Sequence, residues 1–154
     1  MNFGCLRWGV RRERGDVHQT PVLLYDGLCG FCDRTVQLVL RADRRGTIRF
    51  TPLQGKFAAS VLERHALIQG VDSLVFIEPG EEQENLRLHV RSAAVLRIAW
   101  HLGGAWRILV VFRLVPRAFR DWAYDVFARH RYRIFGRLDT CPIPPPEVRS
   151  RFMD

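Results

Sequence analysis

Two cysteines and an aspartate are the residues of this sequence whose types and spacing are best suited to chemistry. Asp26, Cys29 and Cys32 follow one another at intervals of three residues. Positions three apart are neighbours on one helical turn, which brings the two thiols within reach of a disulfide bond. The pair could open and close with little backbone movement, and it predicts thiol–disulfide exchange.

The position of the cysteines strengthens this prediction. An apolar run at 22–25 is followed by Asp26-Gly27, and a helical pattern begins near Cys32. Cys29 then lies at a helix N-terminus, where unpaired backbone N–H groups and the helix dipole favour the thiolate, the nucleophilic form of cysteine. We therefore predict that Cys29 attacks a partner disulfide. Cys32, one turn inside the helix and more buried, is predicted to be the resolving thiol.

Four residues have predicted supporting roles: Arg34, Leu28, Phe31 and Ser92. Arg34 adds positive charge on the same first helical turns, and Leu28 and Phe31 are apolar side chains that could dock a partner's chain. Two roles are possible for Asp26, which is also a candidate catalytic residue. It passes a proton to or from Cys32 during exchange, or it is a turn or cap residue at the end of the strand.

The elements around the motif follow the order β-α-β-α-β-β-α, with further helices after it. Strands are predicted at 22–25, 47–51, 73–77 and 86–90, and helices at 32–43, 57–65, 92–102 and 119–127, with Ser92 as the N-cap of the third helix. The first two strands, joined by a helix, should be parallel, and the last two should form a hairpin. This pattern predicts a thioredoxin-like α/β domain: a four-stranded mixed sheet flanked by helices, with a helical C-terminal extension.

Length and composition agree with one globular domain. The chain has 154 residues, of which 47% are apolar and 26% charged, a composition that argues against disordered, collagen-like and coiled-coil classes. We predict a flexible leader at 1–19, the thioredoxin-like domain with its C-terminal helices at 20–137, and a proline-rich tail at 138–154. The prolines of the tail favour an extended, polyproline-like conformation.

The same sequence predicts a cytoplasmic protein. Its first eighteen residues show no apolar signal core, and its longest apolar stretch, Ile108 to Phe112, is far shorter than the ~20 residues of a membrane span. Thiols are mostly kept reduced in the cytoplasm, so a cysteine pair there suggests redox chemistry or metal binding. No cofactor is expected.

The motif also resembles a known family. The signature Asp26-x-x-Cys29-x-x-Cys32 is similar to that of the DCC family of predicted thiol-disulfide oxidoreductases, and the resemblance covers about residues 20 to 150. It continues at Asp72-Ser73, Arg91-Ser92-Ala93-Ala94, Arg113-Leu114-Val115-Pro116, Tyr124-Asp125, the block Arg129 to Gly136, and Cys141-Pro142. The resemblance implies a thioredoxin-like fold and exchange with a protein or small-molecule thiol or disulfide.

A basic binding module is the first alternative. The net charge is +8, and eight arginines lie between Ala105 and Arg137 against two aspartates, with aromatic residues interleaved. Such a region could contact nucleic acid or an anionic membrane surface. We favour the other interpretation, in which an amphipathic helical cap packs its aromatic residues on the sheet while its arginines reach outward.

A cysteine-based metal site is the second alternative. Zinc would need Cys29, Cys32 and two distant ligands, and the five histidines share no ligand spacing, so no metal is expected. Cys141 has three interpretations: a third redox thiol, a metal ligand, or a partly buried packing thiol. Cys5, in the leader, is expected to be incidental.

Overall fold

Four short strands form one sheet in the order β2-β1-β3-β4. The computed structural model describes residues 20–65, 74–80, 86–138 and 144–153. The strands are β1 (Val22–Tyr25), β2 (Arg49–Pro52), β3 (Val75–Glu78) and β4 (Arg87–Val90). β1 is parallel to β2 and antiparallel to β3, and β3 is antiparallel to β4. The parallel first pair, the final hairpin and the thioredoxin-like α/β class are confirmed.

Helices cover both faces of this sheet. They are α1 (Gly30–Ala42), α2 (Lys56–Arg64), α3 (Arg91–Leu102) and α4 (Arg117–Phe135), with 3₁₀ helices at Gly104–Leu114 and Arg149–Arg151. Side chains alternate between faces along a strand. Leu23 therefore packs on one face with residues of α1 and α3, and Leu24 packs on the other with residues of α2.

The C-terminal helix α4 forms an outer layer, since it packs against α1 and α3. Phe127 contacts Phe31 of α1, with ring centroids 4.6 Å apart. Phe119 and Trp122 are exposed, so the prediction that the aromatic residues of this region pack on the sheet is wrong for both. The sheet face beneath α4 is already covered by α1 and α3, which leaves these two rings no apolar surface there.

The predicted N-cap of the third helix is also wrong. The N-cap is Val90, and β4 passes into α3 through Arg91, whose φ of +54° lies in the left-handed region. Ser92 lies inside the first turn, where its hydroxyl donates a hydrogen bond to Asp121 of α4. Ser92 is distant in sequence from the cysteine motif, and its observed contact joins two helices.

The C-terminal residues fold back along β2. The Met153 N–H donates to the Phe50 carbonyl at 2.8 Å, and the rings of Phe152 and Phe50 stack with centroids 5.3 Å apart. Arg151 forms an ion pair with Asp43 at 2.5 Å. Residues 146–151 form a turn and a 3₁₀ helix where the sequence predicts an extended tail. Edge strand β2 is therefore covered by the chain's own residues.

The division into leader, domain and tail stays a prediction, because residues 1–19 and 139–143 lie outside the described part of the chain, and Cys5 and Cys141 lie there with them. Among the described residues, no helix is long and apolar enough to cross a membrane.

Candidate active site

The cysteine motif lies where β1 turns into α1. Asp26 follows the last residue of β1, and the Cys29 N–H donates to the Asp26 carbonyl at 3.2 Å, which closes the turn. Cys29 is the N-cap of α1, with extended backbone at φ −98° and ψ 115°. The predicted position of Cys29 at a helix N-terminus is thus what the structure shows.

The two thiols lie side by side at this helix end. The backbone N–H of Cys32 donates to Cys29 Sγ at 3.3 Å, and both cysteines are free. A thiolate at Cys29 would therefore meet an N–H donor and the positive end of the helix dipole. The expectation that Cys32 is more buried than Cys29 is wrong, because Cys29 is 0% and Cys32 2% exposed.

The segment after α4 covers the cysteine motif. Leu138 donates its backbone N–H to the Leu28 carbonyl at 2.8 Å, and Cys29 forms an isolated antiparallel bridge with Arg137. At Gly30, an added Cβ would lie 2.6 Å from the Phe135 carbonyl oxygen. A glycine between the cysteines is therefore what allows the end of α4 to approach this closely.

Asp26 is the polar centre of the site. Its Oδ1 accepts hydrogen bonds from the Leu28 N–H and the Gln54 amide, both at 3.0 Å. Its Oδ2 accepts from Arg131 at 3.2 Å and from the Tyr132 hydroxyl. The Leu28 bond is an Asx-type turn, which fits the turn interpretation of Asp26. The other bonds connect it to Gln54, in the turn between β2 and α2, and to α4.

These bonds decide the charge of Asp26. Burial acts to raise the pKa of the carboxyl, but the hydrogen bonds from Tyr132, Leu28 and Gln54, together with the charge of Arg131, lower the pKa overall. The side chains of Arg131 and Asp26 are 4% and 7% exposed. The site therefore holds a buried ion pair with an ionised Asp26.

The pKa of the Cys32 thiol is shifted in the opposite direction from that of Asp26. Burial raises the pKa of Cys32 far above its ordinary value, and its hydrogen bond and charge interaction with Cys29 add to the increase. The charge of Arg131 lowers that pKa and the charge of Asp26 raises it. Cys32 is therefore a protonated thiol in this arrangement.

The expected supporting residues take different positions. Arg34 is exposed, and its guanidinium lies over the Phe135 ring, 5.7 Å from the centroid. The buried cation whose charge acts on both cysteines is Arg131. Phe31 packs its ring against Phe127 and Phe135 of its own chain, at 4.6 and 5.0 Å. Leu28 is half-buried.

Beside Phe31 lies an apolar cavity of about 420 Å³. Its walls come from α1, α3, α4 and the first 3₁₀ helix, and they include Leu38, Val95, Ile98, Leu102 and Leu109. The lining is mostly hydrocarbon, and one wall is the residue that precedes Cys32. This cavity could accept an apolar group of a substrate.

Metal-binding groups do not gather at this site. In the part of the chain that the structure describes, no three side chains of His, Cys, Asp or Glu lie close enough together to hold an ion. Asp26 is directed to Arg131 and Tyr132, and so its oxygens already have donors. Cys141, the proposed third ligand or thiol, lies outside the described residues.

Comparison with known proteins agrees with this geometry. The model of the DCC1-like thiol-disulfide oxidoreductases matches residues 23–137. The chain belongs to this family.

Two relatives show how far the likeness extends. The chain is 38% identical over 133 residues to the uncharacterized protein YuxK of Bacillus subtilis, covering 86% of this chain and 93% of the relative. It is 33% identical over 125 residues to the chloroplastic DCC family protein At1g52590 of Arabidopsis thaliana, covering 80% and 69%. No solved structure matches the chain.

Sequence reasoning missed three partners of Asp26 in this DCC1-like site: Gln54, Arg131 and Tyr132. Arg131 and Tyr132 belong to the block Arg129–Gly136 that carries part of the family resemblance, which was the available signal. Nothing local connects that block with a motif about 100 residues earlier, since the contact depends on how α4 docks.

Asp26→Asn tests the ion pair. The change leaves the buried charge of Arg131 without its partner, so we expect the free energy of unfolding to fall by about 3 kcal/mol at pH 7. Because the folded-state pKa of Asp26 is lowered, its contribution is complete above about pH 4 and is lost as the pH falls through the folded-state pKa. The difference between the two proteins should therefore shrink in acid.

Urea unfolding at pH 7 and near pH 3 measures this difference. Asp33→Asn, in the first turn of α1, is the matched control. It should lower the free energy of unfolding by less than about 1 kcal/mol, since it loses only a helix-dipole interaction. Equal losses in the two variants would contradict the role of Asp26.

Gly30→Ala tests the close approach of α4. A glycine-to-alanine change that fits its surroundings normally stabilises a protein by about 0.4–1 kcal/mol. Here the new Cβ meets the Phe135 carbonyl oxygen, so we expect a loss of about 1–3 kcal/mol instead. Urea unfolding measures whether the free energy of unfolding falls or rises in this variant. A more stable variant would show that residue 135 does not lie where we describe it.

Proposed function

We propose that this protein is a thiol–disulfide oxidoreductase in which Cys29 is the attacking and Cys32 the resolving cysteine. The observation that carries the proposal is the N-cap geometry of Cys29, whose sulfur accepts the Cys32 N–H at 3.3 Å. The helix end stabilises negative charge on the first sulfur, while burial holds the second as a thiol. The two cysteines therefore have different roles at the same pH.

In the first step, the Cys29 thiolate attacks one sulfur of a partner disulfide. A new S–S bond forms between Cys29 and the partner, the partner's own S–S bond breaks, and the electron pair leaves with the partner's other sulfur as a thiolate. In the second step, Cys32 loses its proton and attacks Cys29 Sγ. The Cys29–Cys32 disulfide forms, the second partner thiolate leaves, and two electrons have passed to the partner.

The order of the two steps follows from the electrostatics of the pair. The hydrogen bond and the charge interaction with Cys29 are two of the causes that raise the pKa of Cys32. In the mixed disulfide Cys29 Sγ is neutral, so its charge contribution is lost and the pKa of Cys32 falls. The positive charge of Arg131 then favours the Cys32 thiolate. Burial, the largest cause of the raised pKa, stays, but the first attack makes Cys32 easier to deprotonate.

Asp26 supports this sequence in two ways. Its ion pair holds the Arg131 guanidinium where that charge reaches both cysteines. We further propose that Asp26 accepts the proton that leaves Cys32. Its lowered pKa makes it a weak base, so positioning Arg131 is its larger contribution. The pH dependence of the exchange rate of Asp26→Asn separates the two roles. Loss of a base would change the shape of the pH–rate curve, whereas loss of positioning would lower the rate at every pH.

The substrate in this proposal is a protein or small-molecule disulfide with an apolar group beside its sulfur. That group would occupy the cavity of about 420 Å³ next to Phe31. The chemistry uses only the two thiols and needs no cofactor. We place the reaction in the cytoplasm, where reduced thiols are available.

The cysteines themselves provide the first test. In a background with Cys5→Ser and Cys141→Ser, purified Cys32→Ser is expected to react once with glutathione disulfide and to keep a mixed disulfide at Cys29, because no second thiol resolves it. Cys29→Ser should exchange at less than about one-hundredth of the wild-type rate, since the remaining thiol is buried and protonated. Mass spectrometry detects the added glutathione, and reduction of glutathione disulfide gives the rate.

Each cysteine variant is the control for the other, and thermal unfolding shows that both are folded. Equal exchange rates in wild type and Cys29→Ser would rule out the mechanism. A stable adduct on Cys29→Ser but not on Cys32→Ser would show that Cys32 is the attacking and Cys29 the resolving cysteine.

The mechanism also requires the cover over Cys29 to move, because the thiol has no exposed surface. Leu138→Pro removes the N–H that bonds to the Leu28 carbonyl, while Leu138→Ala keeps it. Loss of one hydrogen bond makes opening easier by about 1 kcal/mol, so alkylation of Cys29 should be roughly fivefold faster in the proline variant. Iodoacetamide labelling of both variants in a Cys32→Ser background measures the rates, and equal rates would show that this bond does not limit access.

A further inference from the structure

Among the described residues, the large apolar side chains that are most exposed are concentrated in one short stretch. Between residues 108 and 122, six large apolar residues are each more than half exposed: Ile108, Val111, Phe112, Leu114, Phe119 and Trp122. We call these six residues the apolar patch. Outside it, Ile134 is the only large apolar residue of the described part with comparable exposure. A concentration of this kind marks an interaction surface.

Arginines are interspersed with the apolar patch. Arg107, Arg113, Arg117 and Arg120 lie within the same stretch, and the first three are exposed. The one acidic residue between 104 and 122 is Asp121, which accepts hydrogen bonds from Ser92 and from Arg117. The surface therefore combines apolar side chains with an excess of positive charge.

We propose that the apolar patch and its arginines dock this protein on the surface of a membrane that contains anionic lipids. The apolar side chains would enter the boundary between head groups and acyl chains, as in interfacial helices. The arginines would meet lipid phosphates, with their hydrocarbon stems alongside the apolar groups. The segment lies on the membrane and does not cross it.

Charge distinguishes this occupant from a second copy of the chain. A twofold dimer would place the same surface against itself, so the arginines of one copy would face those of the other. The exposed side chains also argue against nucleic acid. The most exposed are Leu114 at 86% and Ile108 at 73%, and aliphatic groups do not stack on bases. An anionic membrane offers an apolar layer for the aliphatic side chains and negatively charged phosphates for the arginines.

Nothing in this proposal depends on the proposed redox activity. The patch belongs to the 3₁₀ helix Gly104–Leu114 and the start of α4, whereas Arg131 and Tyr132 lie near the other end of α4. Exchange with glutathione disulfide can therefore be measured separately on every patch variant. Failure of membrane binding and failure of exchange give different results.

Vesicle flotation provides the test. The full chain is mixed with vesicles of equal parts phosphatidylglycerol and phosphatidylcholine, or with phosphatidylcholine alone. We expect the protein to float with the anionic vesicles and to bind the neutral ones at least tenfold more weakly. Raising the salt concentration should reduce binding to the anionic vesicles, because screening weakens the contribution of the arginines.

Three double variants and one single variant locate the contact. Phe112→Ser with Leu114→Ser should reduce partitioning more than tenfold, because two large apolar groups are lost. Ile134→Ser, an exposed apolar residue outside the patch, should bind as wild type. Arg107→Gln with Arg113→Gln should reduce binding to the anionic vesicles roughly 25-fold. Lys56→Gln with Arg64→Gln, which removes the same charge from exposed residues of α2 on the opposite face of the sheet, should have a much smaller effect.

Three results would overturn the proposal. The first is that the wild type does not float with anionic vesicles. The second is that the variant of Arg107 and Arg113 and the α2 control variant reduce binding equally, since net charge and not this surface would then act. The third is a stable dimer in sedimentation experiments that Phe112→Ser with Leu114→Ser converts to monomers, because the patch would then be covered by a second copy. Circular dichroism confirms that each variant is folded.

Discussion

The buried ion pair between Asp26 and Arg131 is the contact on which the arrangement of this site depends. The two residues are 105 positions apart, and their side chains meet with little exposure to water. One stands at the end of the central strand β1, and the other near the end of the outermost helix. Fixing this pair fixes the end of α4, and with it the segment that lies over Cys29.

A buried ion pair is stabilising only when its remaining polar atoms are also satisfied. Gln54, Leu28 and Tyr132 complete the acceptor sites of Asp26. Arg131 is less complete, because its Nε has no hydrogen-bond partner among the described residues. An unsatisfied buried donor usually destabilises a fold. In the proposed mechanism the same guanidinium acts on two cysteines that become thiolates in turn, and incomplete pairing fits such a functional position.

The sequence predicts local features of this protein well and distant contacts poorly. Cys29 was expected at a helix N-terminus because the strand, turn and helix signals are adjacent in the chain. The parallel and antiparallel strand pairs also follow from connection lengths. The docking of α4 does not. A helical pattern of Phe119, Trp122 and Phe127 predicts a single buried face, yet Phe127 packs on α1 while Phe119 and Trp122 are exposed.

Burial of the motif has opposite consequences for the two cysteines. In the proposed mechanism it is useful for Cys32, because a thiol kept protonated does not compete with Cys29 for the partner disulfide. For Cys29 it is an obstacle, because an attacking sulfur must reach its target in line with the S–S bond. The segment at 135–138 lies over Cys29, and the Leu138–Leu28 bond is a single backbone contact within it. A small local opening at 135–138 would expose Cys29 while Cys32, one turn deeper and packed against the sheet, stays buried. Cys29 would then be accessible to a partner disulfide while Cys32 is not, at the step of the proposed mechanism in which Cys29 alone attacks.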